Sequence, residues 1–339
     1  MKKAVILINI GSPDELTVSA TRRYLRQFLM DSRVIDIPYP FRFLLANGII
    51  APFRAPKSLK SYQKVLIEGQ SPLIYYSYQL EEKLQNVLGE EYVVKIAMMY
   101  GKPYLKNILD ELKQLDISEI ILLPLYPQYA SSTTGSALVM AFKHIQSWLT
   151  IPRIKTIHTF FNDDDFIDIW AKHIQSHWPS KFDYILFSYH GLPIRQIYKA
   201  HKQFKESFCQ LNDTCCKSNF DKRSFCYRKN CVQTTELIAQ KLQLSQDRYC
   251  YSFQSRLGQS EWLKPYTSDK IKELAQQGIQ HLVVVSPAFV IDCLETLFEI
   301  QIEYEEEFKK NGGQSLTLIP SLNIKEEWVT FLKDKILNG

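Results

Sequence analysis

Eight short, mostly apolar runs recur along the chain, and nearly all of them lack the polar alternation of a half-exposed strand. They are 4–10 (AVILINI), 92–98 (YVVKIAM), 119–125 (EIILLPL), 153–158 (RIKTIH), 183–189 (DYILFSY), 249–254 (YCYSFQ), 281–286 (HLVVVS) and 316–319 (LTLI). Strands covered on both faces read this way, and such strands belong to parallel sheets wrapped by helices. Helical periodicity fills the gaps, over 16–30, 74–88, 103–115, 134–149, 163–177, 232–243, 267–277 and 293–310. Strand–helix–strand alternation implies right-handed crossovers. A chain of 339 residues exceeds what one compact core usually holds. The expected fold is therefore α/β, with two doubly wound Rossmann-like halves, each built on a four-stranded parallel sheet. Their strand ends would face a shared cleft. We place the boundaries at 1–150 and 151–322, with a last helix in 323–339 folding back onto the first half.

Two segments break this rhythm. Residues 38–56 (PYPFRFLLANGIIAPFRAP) are apolar and aromatic, and their prolines forbid one long helix. Two readings compete: a core loop with a short helix, or a lip that exposes apolar surface to an oily ligand or a membrane interface. Residues 199–231 form a polar insertion too long for an ordinary connection. It holds Cys209, Cys215, Cys216, Cys226 and Cys231. Cysteines gathered this densely in a reducing compartment point to metal, and metal binding would supply the folding energy that so polar a segment lacks. The spacing does not choose between zinc and iron–sulfur.

The opening MKKAVILINIGSPDE reads as a buried first strand, because its apolar run is short and no small-residue cleavage site follows. No run approaches a membrane span, so the chain is expected in the cytoplasm. A net charge of +5 is spread thinly. It does not argue for nucleic acid, and it suits an anionic small ligand or an anionic lipid surface.

The strand over 183–189 ends in Tyr189-His190-Gly191 and turns at Pro193. In open α/β sheets a titratable ring at a strand's carboxyl end stands where chemistry is placed, although a lone histidine more often satisfies a turn carbonyl. A second strand ends at Ser286-Pro287, and the helix beyond it carries Asp292, Glu295 and Glu299 at i, i+3 and i+7, one acidic stripe. A histidine facing carboxylates can hold a divalent metal with positions left open, and can move protons near neutrality.

The blocks LINIGSP (7–13), EGQSPL (68–73), YPQYASSTTGS (126–136), SYHGLP (188–193), SFQSRLGQSEWLKPYT (252–267) and DCLETLFEI (292–300) resemble those of the ferrochelatase family, in the family's order and along nearly the whole chain. The resemblance implies a chelatase-type fold and insertion of Fe2+ into protoporphyrin IX to give haem with release of two protons. It implies that His190 and Glu295 face each other as iron ligands, that His190 takes pyrrole protons, and that Glu299 continues an acidic path. Gly191 would let the backbone turn without crowding the macrocycle. For the porphyrin, Tyr126, Tyr129, Ser131, Ser132 and Thr133 are candidates. Arg42 and Arg54 are candidates for its propionates, with Lys57 beside them and Arg256 and Trp262 as contacts or structural ties. Some members carry a [2Fe–2S] cluster on an internal cysteine segment. Here that implies Cys209, Cys216, Cys226 and Cys231 as ligands, with Cys215 as the alternative. The expected partners are the porphyrin, an upstream porphyrin-synthesis enzyme, and a membrane touched through 38–56. Met99 stands where many bacterial relatives have arginine, and Ala288 where a glycine is usual. Three other readings compete: a chelatase for coproporphyrin or for cobalt, a non-catalytic haem or redox sensor, and a structural zinc protein.

Overall fold

The computed structural model describes residues 2–200, 211–217, 225–256, 258 and 260–338. Cys209 lies outside them. The chain divides into two compact units, one of Met1–Tyr126, Ser131–His158 and Asn323–Gly339, the other of Pro127–Ala130 and Thr159–Leu322.

In the first unit β1 (Lys2–Asn9), β2 (Tyr92–Met98), β3 (Ile117–Pro124) and β4 (Arg153–Thr156) form one sheet in the order β2-β1-β3-β4. All its pairings are parallel. The unit runs past residue 150 to His158 because β4 pairs with β3. Helices α1 (Val18–Met30), α2 (Tyr39–Phe43), α3 (Ala51–Gln63), α4 (Pro72–Leu88), α5 (Leu105–Lys113) and α6 (Ser136–Ile145) complete the connections. Met99 is buried in this unit's core beside Tyr100, Leu105 and Leu138. An arginine there would need a partner for its buried charge, and a thioether does not.

The second unit repeats the plan. Its strands β5 (Tyr184–His190), β6 (Tyr249–Gln254), β7 (His281–Val285) and β8 (Ser315–Leu318) pair in parallel in the order β6-β5-β7-β8. Helices α7 (Asp164–Ser176), α8 (Ile194–Ala200), α9 (Asp213–Lys217), α10 (Tyr227–Lys241), α11 (Thr267–Gln276) and α12 (Glu305–Lys310) surround them. The last helix, α13 (Glu326–Asn338), counts with the first unit and packs on α4. All eight apolar runs are strands, and Ile185, Leu186 and Phe187 are fully buried, as strands covered on both faces must be. Among the described residues no helix is long and apolar enough to cross a membrane.

Three local expectations are overturned. First, the prolines of 38–56 do not prevent a continuous helical path, which runs through α2, a π-helical stretch Leu44–Ile50 and α3. Pro40 falls in the first turn of α2, where no N–H is required, Pro52 stands where the π stretch joins α3, and Pro56 sits inside α3. The segment is not a core loop: Tyr39, Phe41, Phe43, Leu44 and Ile49 are exposed, and Phe53 is 79% exposed. Second, the helix expected from 232 begins at Tyr227, so Cys231 lies on α10 and not in a loop. Third, the helix bearing the acidic stripe is π-helical over Glu295–Tyr304 before it becomes α12. Its i→i+5 bonding changes which residues share a face.

Gly11 marks a close approach in the first unit. Its φ is +98°, and a Cβ there would stand 1.7 Å from the Tyr100 carbonyl oxygen. Gly69 also has a left-handed φ, +77°, but opens onto empty space. Gly11→Ala is expected to cost more than about 2 kcal/mol, and Gly69→Ala about 1 kcal/mol, in urea unfolding; equal losses would show that the Tyr100 contact does not matter. In the second unit, the Asp183 carboxylate accepts from the backbone N–H of Gln280 (2.9 Å) and His281 (2.8 Å), and these bonds hold it below the usual carboxylate range. That stability is present above the ordinary value of 3.8 and is lost as pH falls through the lower folded value. Asp183→Asn should therefore be most destabilising near neutrality, with the gap from wild type closing in acid, as read from urea midpoints across pH.

Candidate active site

The strand order of the second unit reverses direction at β5 and β7, since one connection leads from β5 outward to β6 and the next to β7 on its other side. Ligands of open α/β sheets bind beyond the carboxyl ends of strands at such a switch point. His190 is the last residue of β5, and the helix that follows β7 starts its π-helical part at Glu295.

His190 is half-buried, and its Nδ1 lies 2.7 Å from the carbonyl oxygen of Gly191. A carbonyl only accepts, so Nδ1 carries the hydrogen and the neutral ring keeps its lone pair on Nε2. Burial holds the imidazole below its ordinary range; the Glu295 carboxylate and the Gly191 carbonyl pull it upward and do not prevail. The ring sits 6.4 Å, centroid to centroid, from Trp262.

The frame around His190 is built from both neighbouring strands. Gln254, opposite His190 at the end of β6, accepts from the Gly191 N–H at 2.8 Å through its backbone carbonyl. Its side chain accepts from Ser188 Oγ at 2.5 Å and donates to the Glu295 carbonyl at 3.4 Å. Tyr227 donates from its hydroxyl to the His190 carbonyl at 2.8 Å. The need for glycine at 191 is local: a Cβ would stand 2.8 Å from the Gln254 carbonyl oxygen and 3.2 Å from the Trp262 ring.

The acidic stripe separates into two roles. Asp292 is buried, and its carboxylate accepts from Thr296 Oγ1 (2.9 Å) and the Ser321 N–H (3.1 Å), which fixes the entry to the helix. Glu295 and Glu299 remain half-buried. Glu299 accepts from Ser255 Oγ at 2.6 Å, and Ser255 holds a left-handed φ of 65° to reach it. Tyr304, half-buried near Glu299, stays protonated because burial and that carboxylate both push it upward. Cys293 is buried beside Glu295; burial first, then the carboxylate, keep it a neutral thiol.

The remaining candidates are placed as follows. Arg42 donates to the carbonyls of Ile35 (3.3 Å) and Ile37 (2.9 Å) and lines a cavity of about 590 Å³ in the first unit, together with Asp31, Arg33, Tyr100 and Lys143. Ser131, Ser132 and Thr133 stand half-buried in a short π turn, Ser131–Gly135, where Arg33 donates to Ser131 Oγ at 2.6 Å. Arg54 and Lys57 are exposed on α3. Tyr126 counts with the first unit and Tyr129 with the second, where it meets Phe225 edge-on. Arg256 lies over the Tyr266 ring, and Ala288 is half-buried in the turn after β7. Sequence reasoning missed Tyr227, which no motif marked, and the parts played by Gln254 and Ser255, which stood unremarked inside the SFQSRLG block.

A family model described as Ferrochelatase matches residues 2–339. The chain belongs to the ferrochelatase family. It is 42% identical to a ferrochelatase of Legionella pneumophila (strain Corby), over 97% of each chain. It is also 42% identical to a ferrochelatase of Coxiella burnetii (strain Dugway 5J108-111), over 97% of this chain and 91% of that one. Among solved structures it is similar in fold to SirB from Bacillus subtilis with Fe3+, with a TM-score of 0.55 at 10% identity, covering 99% of this chain and 95% of that one. As a member of the ferrochelatase family with a chelatase fold, the chain is a metal-insertion enzyme.

Because Glu295 raises what burial lowers, Glu295→Gln should push the His190 titration further down. Ring 13C NMR of the labelled histidine across pH reads this; an unchanged or higher midpoint would separate the two residues.

Proposed function

We propose that the chain inserts Fe2+ into protoporphyrin IX, with iron and porphyrin as substrates and two protons released. The observation that carries this is the His190 tautomer: with Nδ1–H bonded to Gly191, Nε2 is left unprotonated in a ring whose titration the Glu295 carboxylate pulls upward. A porphyrin must lose two pyrrole N–H protons before the metal sits in its plane. A neutral imidazole accepts such a proton, and a carboxylate at its side stabilises the imidazolium that results. The same imidazole–carboxylate pair is a suitable ligand set for a divalent ion shedding water. Glu299, fixed by Ser255, is the next acceptor outward. Arg42, Arg54 and the hydroxyls of Ser131, Ser132 and Thr133 are proposed for the propionates, and Tyr126 and Tyr129 for the ring faces. The exposed apolar side chains of 39–53 suit protoporphyrin better than coproporphyrin, which carries more carboxylates, and they are the surface proposed for membrane contact.

We further propose that the cysteine segment holds a [2Fe–2S] cluster through Cys216, Cys226, Cys231 and Cys209, the last outside the described residues. Among the described residues no three His, Cys, Asp or Glu side chains gather as ligands of a single ion. The donor chemistry fits a cluster nonetheless. Cys216, Cys226 and Cys231 are buried thiols on or beside two packed helices, and Cys216 is close enough to raise the Cys231 thiol. Buried Arg228 donates to Cys216 Sγ at 2.7 Å, a bond suited to a thiolate ligand. When bound, such a cluster would supply redox chemistry and cross-link α9 to α10.

Anaerobic Fe2+ insertion into protoporphyrin IX and coproporphyrin III, followed by haem absorbance, tests the first reading. His190→Ala and Glu295→Gln are each expected to lose about a hundredfold or more in kcat with folding intact. Wild-type protein that turns over neither porphyrin would refute the assignment. Iron and acid-labile sulfide in equal amounts, with Cys226→Ser losing both, is the expected result for the second reading; zinc in their place would end it.

A further inference from the structure

The peptide unit joining His190 to Gly191 is held at both ends. Its N–H goes to the Gln254 carbonyl, and its carbonyl oxygen accepts from the Tyr227 hydroxyl at 2.8 Å. The His190 ring bonds to the very next carbonyl, that of Gly191. Rotation of this one peptide plane therefore re-aims the imidazole. Tyr227 is buried, opens α10 and directly follows Cys226. A phenol has one proton to donate, and here it goes to the His190 carbonyl.

We propose that Tyr227 is a positioning residue: by donating to the His190 carbonyl it pins the end of β5 and, through the His190–Gly191 peptide, sets the aim of the imidazole. The effect on turnover rests on the reading of His190 as the proton acceptor, while the grip on the peptide does not.

His190–Gly191 is the only His–Gly pair in the sequence, so protein labelled with 13C-carbonyl histidine and 15N-glycine gives one resolved correlation for this peptide. In protein stripped of iron with a chelator, Tyr227→Phe, which keeps the ring and removes the hydroxyl, is expected to shift that signal. It should lower kcat roughly three- to tenfold with KM for the porphyrin unchanged. An unmoved carbonyl signal overturns the positioning role, and a shifted signal with unchanged kcat overturns its bearing on turnover. Wild-type protein that turns over no porphyrin overturns the assigned reaction, while the labelled peptide still judges the grip on His190.

Discussion

The bond from His190 Nδ1–H to the carbonyl of its own neighbour, Gly191, is the interaction on which the site depends. It decides the tautomer, and the tautomer decides that the reactive lone pair is on Nε2. The geometry of that bond requires a chain that turns immediately after the strand. The turn in turn requires glycine, because the Gln254 carbonyl and Trp262 fill the space of any side chain. Gln254 can be there only because β6 pairs with β5 in a register that sets it opposite His190. Sheet topology, one glycine and one ring nitrogen are thus a single constraint expressed at three scales.

Much of this was legible in the sequence, for physical reasons that differ by element. All eight strands could be read because a parallel strand buried on both faces has no polar alternation to confuse with a loop. His190 could be singled out because it closes a strand, and Glu295 because it lies on the helix that follows one, in blocks that resemble a known family. The π-helical turn could not be read. Apolar spacing reports which residues are buried and not which carbonyl each N–H reaches, so nothing in it marks the switch to i→i+5 bonding at Glu295. Asp292 looked like a third member of the stripe because its hydrogen-bond partner Ser321 comes from the far side of β8. The helical path through 38–56 was hidden by counting prolines without asking where each fell within its turn. Cys231 was read as a loop residue because α10 begins amid the polar residues of a segment that looked continuous.

The two units share one strand order, yet they use their switch points differently. In the second, the ends of β5 and β6 carry a histidine and the glutamine that braces it. In the first, the corresponding region is spent on close backbone approach, with Gly11 against Tyr100 and Tyr100 donating to Asp31 at 2.7 Å. The first unit also holds a cavity lined by Arg33, Arg42 and Lys143. The exposed helix of the lip extends the same unit.

The π-helical stretch at Glu295–Tyr304 sets regularity of the backbone against placement of a side chain. Such a stretch is an α-helix carrying extra chain that its hydrogen bonds must stretch around. Losing a single residue from it would let the backbone relax into ordinary α-helix, a change that favours stability. The same deletion would turn Glu299 away from Ser255 and break the bond between them. The stretch therefore trades helix regularity for the placement of one carboxylate.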